Sequence, residues 1–190
     1  AVDGIRHDPD VTRAQAYRRA IQLIRRLAGD RFILGCGHPI GPSIGLMNGA
    51  RIGPDVAPFW YPAERPREPG RSDLSTVSTL NGIRNVASRF WMHNRLWLND
   101  PDCMLARDSD TALTADEVRT LATVIALSGG MTLASDNLMR LSPQRLELLS
   151  MLLPVYGRPG VPLDLFQSDL PRLIELDCGT HRLLGVFNWA

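Results

Sequence analysis

Four times along this chain a short apolar run breaks into a Gly-, Pro- or acid-rich exit, and segments with apolar residues at helical spacing lie between. That rhythm restricts the fold more than any other feature. The runs are Arg31-Phe32-Ile33-Leu34 before Gly35, Gly49-Ala50-Arg51-Ile52 before Gly53-Pro54, Leu96-Trp97-Leu98 before Asn99-Asp100-Pro101-Asp102, and Met131-Thr132-Leu133-Ala134 before Ser135-Asp136-Asn137. A first helix is predicted to start at Asp8-Pro9 and to run through Tyr17, Ile21, Ile24 and Ala28 to Gly29. Val77, Leu80, Ile83 and Ala87 mark a second helical face. Thr114 and Glu117 form a capping box ahead of Val118, Leu121 and Ile125, and Gly129-Gly130 ends that helix. Ser142-Pro143 is predicted to cap a Leu-rich helix reaching nearly to Pro154.

A leading helix followed by four strand-and-helix units is parallel βα repetition. Such units build either an open doubly wound sheet or a barrel, and in both the ligand sits at the C-terminal ends of the strands. No G-x-G-x-x-G or P-loop spacing occurs, which weighs against a nucleotide site. A whole barrel takes eight units in about 250 residues, so four units amount to half a barrel. Beyond Gly160 the pattern changes to alternating runs, Leu173-Ile174-Glu175-Leu176 and Leu183-Leu184-Gly185-Val186-Phe187, which suit an antiparallel sheet. The predicted division is therefore residues 1–160 and residues 161–190.

At 190 residues, 44% hydrophobic, the chain can bury the core of about one domain. A net charge of +1 with no basic stripe argues against nucleic acid and membrane surfaces as partners. All 21 basic residues are Arg, so lysine Schiff-base chemistry is absent from these residues. Cys36, Cys103 and Cys178 are odd in number and widely spaced, unlike a disulfide framework or a zinc site. The apolar stretches are too short to span a bilayer, and Ala1 to His7 carry no signal-like run. The compartment stays open between cytoplasm and secretion. A start without Met and an end at Asn188-Trp189-Ala190 within an apparent strand suggest a piece of something longer.

Within this frame the exits carry the chemistry. Gly53 and Pro54 between Arg51 and Asp55 forbid a helix there, so a cation and an acid share a rigid strand exit, which suggests a sugar site. Phe59 and Trp60 are expected to desolvate Asp55 and raise its proton affinity, against the pull of Arg51. Trp60 in its loop is a candidate to stack on a sugar ring, whereas Trp91 and Trp97 read as core. His38, followed by Pro, reads as structural. Asn99-Asp100-Pro101-Asp102 lacks the Gly and distal Glu of a calcium loop, so no metal is expected.

The motifs Phe32-Ile33-Leu34-Gly35-Cys36-Gly37, Arg51-Ile52-Gly53-Pro54-Asp55-Val56-Ala57, Leu98-Asn99-Asp100-Pro101-Asp102, Ser128-Gly129-Gly130-Met131 through Ser135-Asp136-Asn137-Leu138, and Leu184-Gly185-Val186-Phe187-Asn188-Trp189 occur in one order over nearly the whole chain. In this the chain resembles the melibiase clan of glycoside hydrolases, the α-galactosidases of families 27 and 36, and family 36 more closely. The resemblance implies an α/β fold, the C-terminal half of a (β/α)8 TIM barrel followed by the start of an antiparallel β-sandwich domain. It implies retaining hydrolysis of terminal α-linked galactose without a cofactor. Asp55 matches the general acid/base, Arg51 a sugar-binding arginine, Cys36 with Gly37 the surroundings of the sugar 2-hydroxyl, and Asp102 a further sugar contact.

The matching nucleophile is an aspartate in a Lys-x-Asp strand that precedes the first helix, and Asp3 and Asp8 lack that setting. Retention needs a second carboxylate about 5 to 5.5 Å from the first, so the isolated chain is expected to be inactive. Its open sheet edges are expected to drive homo-oligomers or aggregation. Other activities compatible with the resemblance are α-N-acetylgalactosaminidase, raffinose-synthase-like transfer, and non-catalytic carbohydrate binding.

Overall fold

The computed structural model describes residues 10–62, 74–168 and 170–189. Helix α1 (Arg13–Ala28) starts at Thr12, whose hydroxyl accepts the Gln15 N–H at 3.2 Å while the Gln15 side chain takes the Thr12 N–H at 2.9 Å. This reciprocal cap sets the start later than Asp8-Pro9, a pair that lies outside the described residues. The expected face of Tyr17, Ile21, Ile24 and Ala28 is not buried; no residue of α1 is. Arginines attach the helix instead. Arg18 donates to the carbonyls of Pro42 and Ile44, and Arg25 donates to the Leu46 carbonyl and to Asn48 Oδ1.

Strands β1 (Leu34–Gly35), β2 (Gly49–Arg51) and β3 (Leu98–Asp100) run parallel in that spatial order. The short helix α2 (Ile40–Ser43) lies between β1 and β2. Helix α3 (Thr79–Ser88) joins β2 to β3, so Val77 precedes it and stays exposed rather than completing its face. Beyond β3, Met131 N–H donates to the Asn99 carbonyl at 2.9 Å, and β4 (Cys103–Met104) pairs in parallel with β5 (Leu133–Ala134). Within each of these two parallel sheets chain order and spatial order agree, and helix α4 (Ala115–Ser128) crosses over between β4 and β5.

Register decides which side chains go where, because successive residues of a strand face opposite sides. Leu34, Gly49 and Leu98 share one rung, and Leu34 and Leu98 are exposed there together with Phe32. Gly35, Ala50 and Asn99 share the next rung on the opposite side, where Ala50 packs with Met92 and Trp97. The third rung pairs Arg51 with Asp100.

The capping box holds as expected: Thr114 Oγ1 accepts Glu117 N–H at 3.2 Å, and Glu117 Oε2 accepts Thr114 N–H at 2.7 Å. Gly129 ends α4 in the left-handed conformation, φ +66°, where a β-carbon would overlap the Arg158 backbone. Helix α5 (Pro143–Ser150) stops short of Pro154, and the Ser142 hydroxyl does not cap it. Asp108 instead pins the start of the helix from outside, accepting the N–H of the cap residue Ser142 at 3.0 Å and Arg145 Nε–H at 3.1 Å. Strands β6 (Val161–Pro162), β7 (Leu173–Asp177) and β8 (Arg182–Val186) form the expected antiparallel sheet. Ile174, Leu176 and Phe187 of that region bury into one core with Val118, Leu121 and Ile125 of α4. Among the described residues no helix is long and apolar enough to cross a membrane.

Candidate active site

The third rung of the parallel sheet builds the site. Arg51 ends β2 and Asp100 ends β3, directly opposite each other. The Arg51 Nε–H donates to Asp100 Oδ2 at 3.1 Å, Nη2 lies 2.9 Å from Asp102 Oδ1, and Nη1 lies 3.1 Å from Asp55 Oδ1. One guanidinium thus meets three carboxylates. The acids differ in burial: the Asp100 and Asp102 side chains are 1% and 8% exposed, that of Asp55 70%. Burial acts to lower the Arg51 pKa, but the charges of Asp100 and Asp102, the hydrogen bond to Asp100 and the nearness of Cys36 outweigh it, holding the group above its ordinary value.

Asp102 sits at φ +78°, a left-handed backbone that Asp tolerates better than most residues. Its N–H donates to Asp100 Oδ1 at 2.8 Å, Oδ1 accepts Cys103 N–H at 2.6 Å, and Oδ2 accepts Val56 N–H at 2.7 Å. The last bond ties the residue after Asp55 to the exit of β3. Burial, followed by the hydrogen bond and charge of Asp102, pushes the neighbouring Cys103 thiol up to about 11.

The remaining candidates line the same exits. Cys36 and Gly37 are exposed just past β1, and Gly37 has φ +60°. Phe59 and Trp60 do not enclose Asp55, whose carboxyl stays open. Trp60 packs partly buried against the main core. This corrects the expected desolvation of Asp55: the chain after Ala57 turns toward α3, with Thr79 and Leu80 N–H donating to the Phe59 and Trp60 carbonyls. His38 meets Trp97 edge-on at 5.5 Å and also lines the cleft that opens there. This cleft of about 500 Å³ opens beside Arg51, lined also by Gly37, Gly53, Asn85 and Arg89; Asp55, Cys36, Asp102 and Trp60 are not among its lining residues.

Asp100 was not singled out from the sequence. The signal for it was its place at the last position of a strand, one register step from an arginine. Among the described residues no group of three or more His, Cys, Asp or Glu could hold a metal ion. Chemically, the site offers an open carboxyl that can exchange a proton, beside a fixed guanidinium suited to neutral or anionic oxygens.

Parallel βα units carrying an arginine–aspartate pair at a strand exit liken the chain to glycoside hydrolases. More narrowly, the chain resembles the α-galactosidases of the melibiase clan. It is similar to the α-galactosidase from Thermus thermophilus, solved in complex with stachyose, at 31% identity and a TM-score of 0.65 over 74% of this chain and 30% of that one. The chain therefore spans about a third of that protein. Its fold is also like that of α-galactosidase I from Mortierella vinacea (13% identity, TM-score 0.63, 90% of this chain and 46% of that one). The α-galactosidase from Saccharomyces cerevisiae, solved with raffinose, is a third likeness of fold (16% identity, TM-score 0.58, 78% and 36%). No family model matches the chain.

Proposed function

We propose that these residues form the C-terminal half of a (β/α)8 barrel, residues 1–160, with the start of a β-sandwich domain in residues 161–190, from a retaining α-galactosidase. Asp55 is the general acid/base, Arg51 binds the galactose beside it, and Cys36 and Gly37 complete the surroundings of the sugar. Asp102, 8% exposed with both oxygens bonded to Arg51, Cys103 N–H and Val56 N–H, bears on the sugar through Arg51, and Trp60, packed against the main core, is no longer a stacking platform. The nucleophile is an aspartate supplied from outside these 190 residues, and the substrate is an α-galactoside oligosaccharide or glycoconjugate. The observation that carries this reading is the Arg51–Asp55 pair at the exit of β2, in a chain 31% identical over most of its length to an α-galactosidase solved with stachyose. Space around the sugar 2-substituent near Cys36 and Gly37 decides between galactose and N-acetylgalactosamine.

The test has three arms. The isolated chain, incubated with nitrophenyl α-galactoside, releases no nitrophenol, because one carboxyl cannot serve as both nucleophile and acid/base; turnover by the isolated chain overturns the placement of the nucleophile. Titration of the labelled chain with galactose and with N-acetylgalactosamine, followed by NMR, shifts signals of Cys36, Gly37 and Arg51. Unmoved signals with both sugars sink the sugar site. The uncovered leucines at β1 and β3 make the chain self-associate, which light scattering detects; a monodisperse monomer at all concentrations contradicts the half-barrel reading.

A further inference from the structure

Asp100 does nothing for a substrate directly: its carboxyl is 1% exposed and its oxygens are taken by the Arg51 Nε–H and the Asp102 N–H. Both partners bear on the open carboxyl. Arg51 reaches Asp55 by Nη1, and Asp102 holds the Val56 N–H, one residue beyond Asp55. A guanidinium on its own stem turns freely, whereas one gripped at Nε has its plane fixed. Likewise, the hydrogen bond from Asp102 N–H holds a backbone at φ +78° that a free Asp seldom keeps.

We propose that Asp100 is a positioning residue, whose buried carboxylate locks the Arg51 guanidinium and the Asp102 turn so that the arginine presents one fixed edge to Asp55 and to the sugar. The sugar in that statement rests on the reading of Arg51 and Asp55 above; the lock itself does not. Two of the five guanidinium N–H donors remain for a ligand once Asp55, Asp100 and Asp102 each hold one. Because the charge of Arg51 is matched by two buried acids, Asp55 is not its sole counter-ion.

The lock can be read in the isotope-labelled chain from the arginine side-chain N–H signals. In the unaltered protein the Arg51 Nε–H exchanges with water about tenfold or more slower than that of exposed Arg119, the gap expected for a buried charge-assisted hydrogen bond. Asp100→Asn, which puts an amide in place of the charge, abolishes that slow exchange and weakens galactose binding about tenfold. The control is Asp136→Asn. It breaks another buried pair, Arg107 Nε at 2.6 Å from a carboxyl 2% exposed, and leaves the Arg51 signal where it was.

Exchange at Arg51 as fast as at Arg119 in the unaltered protein overturns the lock even if Asp100→Asn fails to fold. A folded Asp100→Asn chain with unchanged Arg51 exchange overturns it too, as does equal loss in both variants. Slow exchange at Arg51 that depends on Asp100, with no response to galactose, upholds the lock and overturns the sugar reading.

Discussion

Arg51 Nη1 lies 3.1 Å from Asp55 Oδ1, and the two groups stand in different surroundings: the arginine side chain is 14% exposed and the carboxyl 70%. An exposed partner of a buried cation contributes little to stability, since water replaces it at small cost. A buried partner cannot be replaced in that way.

The first prediction follows from this asymmetry. Asp55→Ala changes unfolding free energy by less than about 1 kcal/mol, whereas Asp100→Ala costs about 3 kcal/mol by leaving a buried cation short of a partner. Urea unfolding of both variants measures the difference. Equal costs contradict the burial described for the two acids.

Glycine 129 gives a second. It has φ +66° and the Arg158 backbone fills the space of a β-carbon, so Gly129→Ala adds a steric clash to the conformational cost. Gly45, at φ +78°, has nothing within 4 Å. Gly45→Ala therefore costs about 1 kcal/mol and Gly129→Ala several kcal/mol, a ranking that melting curves of the two variants establish.

Acid should weaken the chain through His93. Burial lowers its pKa below the ordinary 6.5, and the weaker upward pull of the Gly157 backbone does not cancel this. The neutral ring accepts Asn99 N–H on Nδ1 at 3.1 Å. Between the folded and unfolded pKa values the unfolded chain binds the extra proton, so stability falls as pH drops below about 6.5. His93→Asn, which keeps an acceptor and removes the titration, flattens the loss in melting temperature between neutral and mildly acid buffer. An unchanged pH slope rules His93 out as its source.

Thiol reagents distinguish two cysteines near the site. With its thiol pushed up to about 11, Cys103 is about a thousandth thiolate at pH 8. Cys36, exposed past β1, is therefore alkylated first by iodoacetamide, and peptide mapping by mass spectrometry reads the order. Modification of Cys103 ahead of Cys36 is the contrary result.

What could be read from the amino-acid order was mostly what is local. The Thr114–Glu117 box, the left-handed end at Gly129 and the exits at Gly35 and Gly53 each depend on residues a few positions apart. The third exit comes later than its sequence suggests: Asn99 and Asp100, polar enough to look like an exit, belong to β3 itself. Thr12 escaped because its partner is Gln15 and Asp8-Pro9 offers a stronger-looking start. The apolar face of α1 misled, since periodicity shows that a helix has such a face but not that anything covers it; Arg18 and Arg25 hold this one in place. Asp100 escaped for another reason. Its partner Arg51 lies 49 positions away, and only the parallel register sets them opposite. Phe59 and Trp60, neighbours of Asp55 in sequence, follow the chain toward α3 instead of closing over it.

The bare leucines of β1 and β3 also determine how this polypeptide must be handled at the bench. A folded protein with that much oil on view binds environment-sensitive dyes before it melts, so a dye-based thermal scan begins bright and gains little. The indole of Trp97, 4% exposed and packed with Ala50 and Met92, offers an intrinsic reporter instead once the other three tryptophans are replaced by phenylalanine.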